Sequence, residues 1–127
     1  MESNLIFAAG IIMLLIGVLH TIGGQITLVN PLLDSSLQAQ EKVEWLGAWH
    51  MITILIFGMA LIMVRNGIKI RQSQIAALEF IYYLCILFSI SFIAASFYLQ
   101  KHAPQYILFS PIAILLFFGL KRLKTSL

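Results

Sequence analysis

The chain has 127 residues, 61% of them hydrophobic and 10% charged, with a formal net charge of +3 and a pI near 9.3. A mean hydropathy of +0.97 leaves room for one domain and little besides membrane spans, which excludes a water-soluble globular enzyme. The eight Lys and Arg residues are not a nucleic-acid footprint: Arg65, Lys69, Arg71, Lys121, Arg122 and Lys124 lie in a middle loop and a tail, and only Lys42 and Lys101 lie elsewhere.

Four apolar stretches exceed the ~10 residues of a barrel strand and approach the ~20 that cross a ~30 Å hydrocarbon core as helix. The expected fold class is therefore an all-α integral membrane protein, one domain over residues 1–127. Its spans fall near 5–28, 45–64, 75–99 and 104–120. Short connections make consecutive helices antiparallel neighbours, which predicts an up-down-up-down four-transmembrane-helix bundle. The distribution of basic residues follows the positive-inside rule and places both termini and the middle loop in the cytoplasm, with the protein in the plasma (inner) membrane.

In chain order, span one lacks a basic segment before it and a small-x-small cleavage pattern after it, so it reads as a retained span. Asn30 and Pro31 close it, because proline lacks the N–H that continues a helix. In the outer loop, Ser35 and Gln38 have capping-box spacing, so a helix is expected from about residue 36, carrying Glu41, Lys42 and Glu44 above the membrane and running into span two. Trp45, Trp49, Tyr98 and Tyr106 fall at one level and read as an aromatic belt. Arg65, Asn66 and Gly67 end span two. Span three carries a weakly polar stripe, Tyr82, Cys85, Ser89, Phe92 and Ser96, at helical spacing. Pro111 is expected to kink span four.

The candidate chemistry lies in the histidines. His20 is about five residues before the outer end of span one, and His50 about five residues into span two. At 1.5 Å rise per residue, both rings sit roughly 6–8 Å below the outer hydrocarbon boundary. His20 shares a helix face with Ala9, Met13, Ile16, Gly17, Gly23 and Gly24. His50 shares one with Val43, Leu46, Gly47, Thr53, Ile54, Phe57 and Leu61. If both faces point inward, the imidazoles meet in a cavity in the outer half of the bundle, with Ser89, Ser96, Tyr106 and Ser110 at similar depth and His102 over the mouth. Two facing imidazoles suit haem b or a transition metal, or they anchor a small lipophilic ligand.

Other readings stand beside this one. The histidines serve equally as interhelical glue to Thr21, Thr53, Ser96 or Ser110. Glu79, near the inner end of span three, is expected to pair with Arg65, Lys69 or Arg71. The lone Cys85 rules out an intramolecular thiol pair and, among apolar neighbours, reads as inert. An accessory or assembly subunit docking a membrane-protein partner or another copy through Glu41, Lys42 and Glu44 is the second function, and a membrane-embedded enzyme on a lipid or quinone with a histidine base is the third.

Overall fold

A computed structural model describes residues 2–69, 74–103 and 105–126. The described residues are helical almost throughout, with no strand among them. Helix α1 covers Glu2–Gly24, a π-helical turn Gln25–Val29, α2 Asn30–Asp34, α3 Ala39–Ile68, α4 Ile75–Leu99 and α5 Gln105–Ser126. Four helical runs are long and apolar enough to cross a membrane: Asn4–Asp34, Ala39–Ile68, Ile75–Leu99 and Gln105–Thr125.

Pro31 does not end the first run. A continuous α-helix would need an N–H at position 31 for the carbonyl four residues earlier, and proline has none. The backbone widens instead: the Asn30 N–H donates to the Gln25 carbonyl, five residues back, and α2 then starts with Pro31 in its first turn, where a missing N–H costs nothing. The run stops where Ser35 turns extended and donates both its N–H and its Oγ–H to the Leu32 carbonyl.

Helix α3 begins three residues later than expected. Its capping box uses Gln38 and Glu41, not Ser35 and Gln38: the Gln38 side chain takes a backbone N–H of the first turn, while the Gln38 N–H donates to Glu41 Oε2 at 2.9 Å. Ser35 is already committed to closing α2. Lys42 Nζ reaches back to the Leu33 carbonyl at 2.7 Å, and Gln40 Nε2 donates to Glu44 Oε1 at 2.8 Å. The loop-helix charges are thus satisfied locally. At its far end α3 passes Arg65 and continues to Ile68, and α5 runs to Ser126, so the basic tail is helical. Pro104, the expected start of span four, lies outside the described residues.

In lipid the tails are as apolar as Leu, so helices associate through dispersion and close approach rather than burial of apolar area. Helix α1 is the centre of the assembly. It packs along α3 on one side and α5 on the other, α4 packs on α5, and α3 scarcely meets α4. Ile6, Ala9 and Met13 of α1 join Ile56, Ala60 and Met63 of α3, Leu78, Ile81 and Cys85 of α4, and Ile112 and Leu116 of α5 in one core.

Glycines at a spacing of seven set the α1–α3 seam. A Cβ on Gly10 would meet the Val64 nitrogen at 2.8 Å, one on Gly17 the Phe57 ring at 3.0 Å, and one on Gly24 the Trp49 ring. Positions on α3 descend as those on α1 ascend, so the two helices run antiparallel. The same order holds for α4 and α5, where Tyr82 faces Phe117, Ser110 Oγ lies 3.3 Å from Ser89 Oγ, and Phe92 stacks on Phe109. Near the start of α4 and the end of α5, Glu79 forms an ion pair with Lys124. The partner therefore comes from α5, not from Arg65 or Lys69 of α3, because α4 packs on α5 and hardly touches α3. Arg71 lies outside the described residues.

Candidate functional site

The C-terminal half of α1, the N-terminal half of α3, the C-terminal half of α4 and the start of α5 surround a cavity of about 540 Å³. Its wall is mostly aliphatic and aromatic: Ile16 and Leu19 from α1, Ile52 and Ile56 from α3, Phe88 and Phe92 from α4, Leu108 and Phe109 from α5. Thr27 and Leu28, both in the π-helical turn, complete the α1 side. Such a size and lining fit a small-molecule site.

His20 is the polar residue that α1 brings to this wall. Its ring stacks on Trp49, with centroids 3.9 Å apart and planes 12° from parallel. Gly24, one helical turn further on, makes room for that indole. His20 Nε2 is buried and has no hydrogen-bond partner. Gln105 Oε1, from the first turn of α5, is likewise buried and unpartnered, and Gln105 lines the same cavity. An unsatisfied buried polar atom costs roughly 1–3 kcal/mol, so two on the lining of one cavity require an explanation.

The two hydroxyls on the wall have spent their hydrogens: Thr27 Oγ1 donates to the Gly23 carbonyl at 2.9 Å and Ser91 Oγ to the Leu87 carbonyl at 2.8 Å, which leaves each oxygen its lone pairs. Among the described residues that line the cavity, none is Lys, Arg, Asp or Glu.

His50 does not join His20. It is exposed, and so are Val43, Ile54 and Leu61 on its face of α3. The buried face of α3 carries Ile56, Met59, Ala60, Met63 and Asn66, and Trp49 at its upper end. Adjacent helical residues diverge by about 100°, so placing Trp49 against α1 turns His50 outward. The indole thus occupies the place expected for the second imidazole and covers one face of His20. A haem or metal held between His20 and His50 is not assembled by this geometry. Among the described residues no three His, Cys, Asp or Glu side chains converge as a metal site.

His102 and Tyr106 also stand apart from the cavity. Their rings meet edge to face at 5.8 Å, and they line a separate depression with Ser96, Gln100 and Lys101 at the α4–α5 turn. Thr53, Ser89, Ser96 and Ser110 each donate to the carbonyl four residues back, of Trp49, Cys85, Phe92 and Tyr106 respectively, at 2.7–2.9 Å. Ser96 Oγ further accepts the Ala103 N–H at 3.0 Å. None of the four bonds a histidine, and Thr21 donates to Gly17. The hydroxyls therefore brace their own helices rather than glue His20.

Sequence reasoning did not single out Gln105, and it placed Trp49 in an aromatic belt. Trp45 and Tyr98 are exposed as a belt requires. Trp49 differs because it lies in register with the buried stripe Ile56, Met59 and Met63, a pattern that was available in the sequence. No protein-family model matches the chain, and neither does any curated protein or solved structure with which it was compared.

Proposed function

We propose that this chain is a four-span protein of the inner membrane, crossing up-down-up-down with both termini in the cytoplasm, and that it binds a small lipophilic ligand in the cavity beside His20. The carrying observation is that two buried polar atoms without protein partners, His20 Nε2 and Gln105 Oε1, belong to residues lining one otherwise apolar cavity. A ligand with a polar end and an apolar body satisfies both demands at once. The sparse α3–α4 contact supports entry from the bilayer, since the wall between these helices is the least closed. Six basic residues at the α3–α4 loop and the α5 tail support the orientation. His20 is the anchor in this reading; His50, on the opposite flank of Trp49, faces lipid near the headgroups.

The test is to purify the protein in mild detergent, extract it with organic solvent and quantify co-purifying small molecules by mass spectrometry. The wild type should carry one lipophile in near-stoichiometric amount. Leu108→Trp, which fills the cavity, should lose it while remaining folded by circular dichroism. Identical extracts from both proteins, containing only bulk lipid, would refute the proposal.

A further inference from the structure

We infer that the ligand is an uncharged molecule bearing a hydroxyl or other hydrogen-bond donor on an aromatic or compact ring, and not an anionic lipid or a fatty acid; this rests on the ligand-binding reading above. The inference comes from the donors and acceptors carried by the residues that line the cavity. Gln105 Oε1 is an acceptor without a donor. Thr27 Oγ1 and Ser91 Oγ have given their hydrogens to Gly23 and Leu87 and offer only lone pairs. His20 Nε2 accepts or donates according to which ring nitrogen carries the proton. Gln105 Nε2 and Trp49 Nε1 add donors, so the lining side chains offer both kinds of group but no full charge. A carboxylate or phosphate would bring a net charge to a wall that has no Lys or Arg among its described residues to neutralise it.

A hydroxyl fits both kinds of group: its hydrogen goes to an oxygen such as Gln105 Oε1, and its own lone pairs accept from His20 when Nε2 is protonated. The body of the ligand is set by the rest of the wall. Trp49, Phe88, Phe92 and Phe109 all line the cavity, and aromatic faces and edges favour a ring over a single alkyl chain. About 540 Å³ holds a ring with a short tail. One feature opposes this assignment: α5 begins at Gln105, and its first-turn N–H groups are donors that favour negative charge. The anionic arm of the test addresses it directly.

Three probes of equal shape separate the cases: 4-heptylphenol, a neutral donor; 4-heptylanisole, neutral without a donor; and 4-heptylbenzoate, an anion. Each is titrated calorimetrically into the wild type and into Gln105→Leu and His20→Leu, in the same detergent. The phenol should bind about tenfold more tightly than the anisole, the ratio expected for one net hydrogen bond. Gln105→Leu should narrow that ratio to near one while leaving anisole binding in place, a result that loss of folding would not produce. Equal affinity of phenol and anisole in the wild type would overturn the inference and leave the lipophilic site standing. Tightest binding of the benzoate would overturn it in favour of the α5 N–H groups. Binding of none of the three probes, together with a Leu108→Trp extract like the wild type's, would remove the ligand site itself.

Discussion

Gly10 tests the packing that positions the cavity. Alanine there places a Cβ 2.8 Å from the Val64 nitrogen, 2.9 Å from Val64 Cγ2 and 3.0 Å from Met63 Cβ. Carbon contacts are most favourable near 3.5–4.0 Å, and two of these three atoms are backbone or attached directly to it, so no rotamer change clears the way. Helices α1 and α3 must separate by roughly 0.5–1 Å, a gap that forfeits a quarter to a half of each dispersion contact it opens. Ile6, Ala9 and Met13 face Ala60 and Met63 across this stretch, all buried. With tens of contacts per buried side chain at ~0.1–0.2 kcal/mol each, the loss is about 2–3 kcal/mol, within the range of core overpacking. Better helix propensity returns at most ~1 kcal/mol. Gly58→Ala supplies the control: its Cβ meets nothing within 4 Å, so it feels the propensity term alone. Reversible unfolding in mixed micelles should place Gly10→Ala about 2–3 kcal/mol below Gly58→Ala, because the propensity gain is common to both variants and cancels. Equal stability of the two variants would show that the α1–α3 seam is not closely packed and that glycine spacing does not set it.

Gly24 and Gly23 form a second matched pair: a Cβ on Gly24 runs into the Trp49 ring, whereas one on Gly23 meets nothing. In a Trp45→Phe background, Gly24→Ala should shift Trp49 emission and lower stability by about 1–2 kcal/mol relative to Gly23→Ala, the cost of a lost ring stack and local overpacking; matching spectra would count against the His20–Trp49 stack. Gln100 ends α4 in the left-handed region with φ 51°, and Gln100→Gly should stabilise the protein by about 0.5–1 kcal/mol, unless the lost Gln100 Nε2 bond to the Phe97 carbonyl outweighs the relieved strain, which a lower melting temperature would reveal. In intact cells of a Cys85→Ser background, an impermeant maleimide should label Ser36→Cys and spare Thr125→Cys; labelling of the tail from outside would reverse the proposed orientation.

The helix content was legible because length and apolarity report it directly. Span three coincides with α4 at Ile75–Leu99. Which side of each helix faces in was much harder to read. A membrane helix is apolar all round, so hydrophobic periodicity does not mark its buried face. The small-residue face of His20 in α1 was informative because close approach needs small side chains, whatever the solvent. The face of His50 offered Val, Ile, Phe and Leu, which suit lipid and core equally; the structure exposes Val43, Ile54 and Leu61 but sets Phe57 against Gly17. The useful signal on α3 lay in pairing: Gly10, Gly17 and Gly24 repeat at seven, and their bulky complements descend α3 as Val64, Phe57 and Trp49. Boundaries moved for local reasons. Pro31 was absorbed by a π-helical turn, and Lys42 by capping the Leu33 carbonyl.

That π-helical turn links the backbone to the site. Thr27 and Leu28, which line the cavity, both sit within it. A π-turn inserts one residue relative to an α-helix, which rotates everything after the insertion by about 100°. Were the run α-helical through Pro31, Thr27 and Leu28 could not both keep their present directions relative to His20 one to two turns earlier. The proline that looked like a terminator therefore acts as a register shift, and the extra residue it demands falls in the stretch of the first helical run that lines the cavity. Widened backbone and unsatisfied polar groups are each a net cost to folding, and Thr27, Leu28, His20 and Gln105 all line the one cavity. On the ligand-binding reading proposed above, one lipophile with a polar end would offset the polar cost of His20 and Gln105 while also filling the space beside the widened turn.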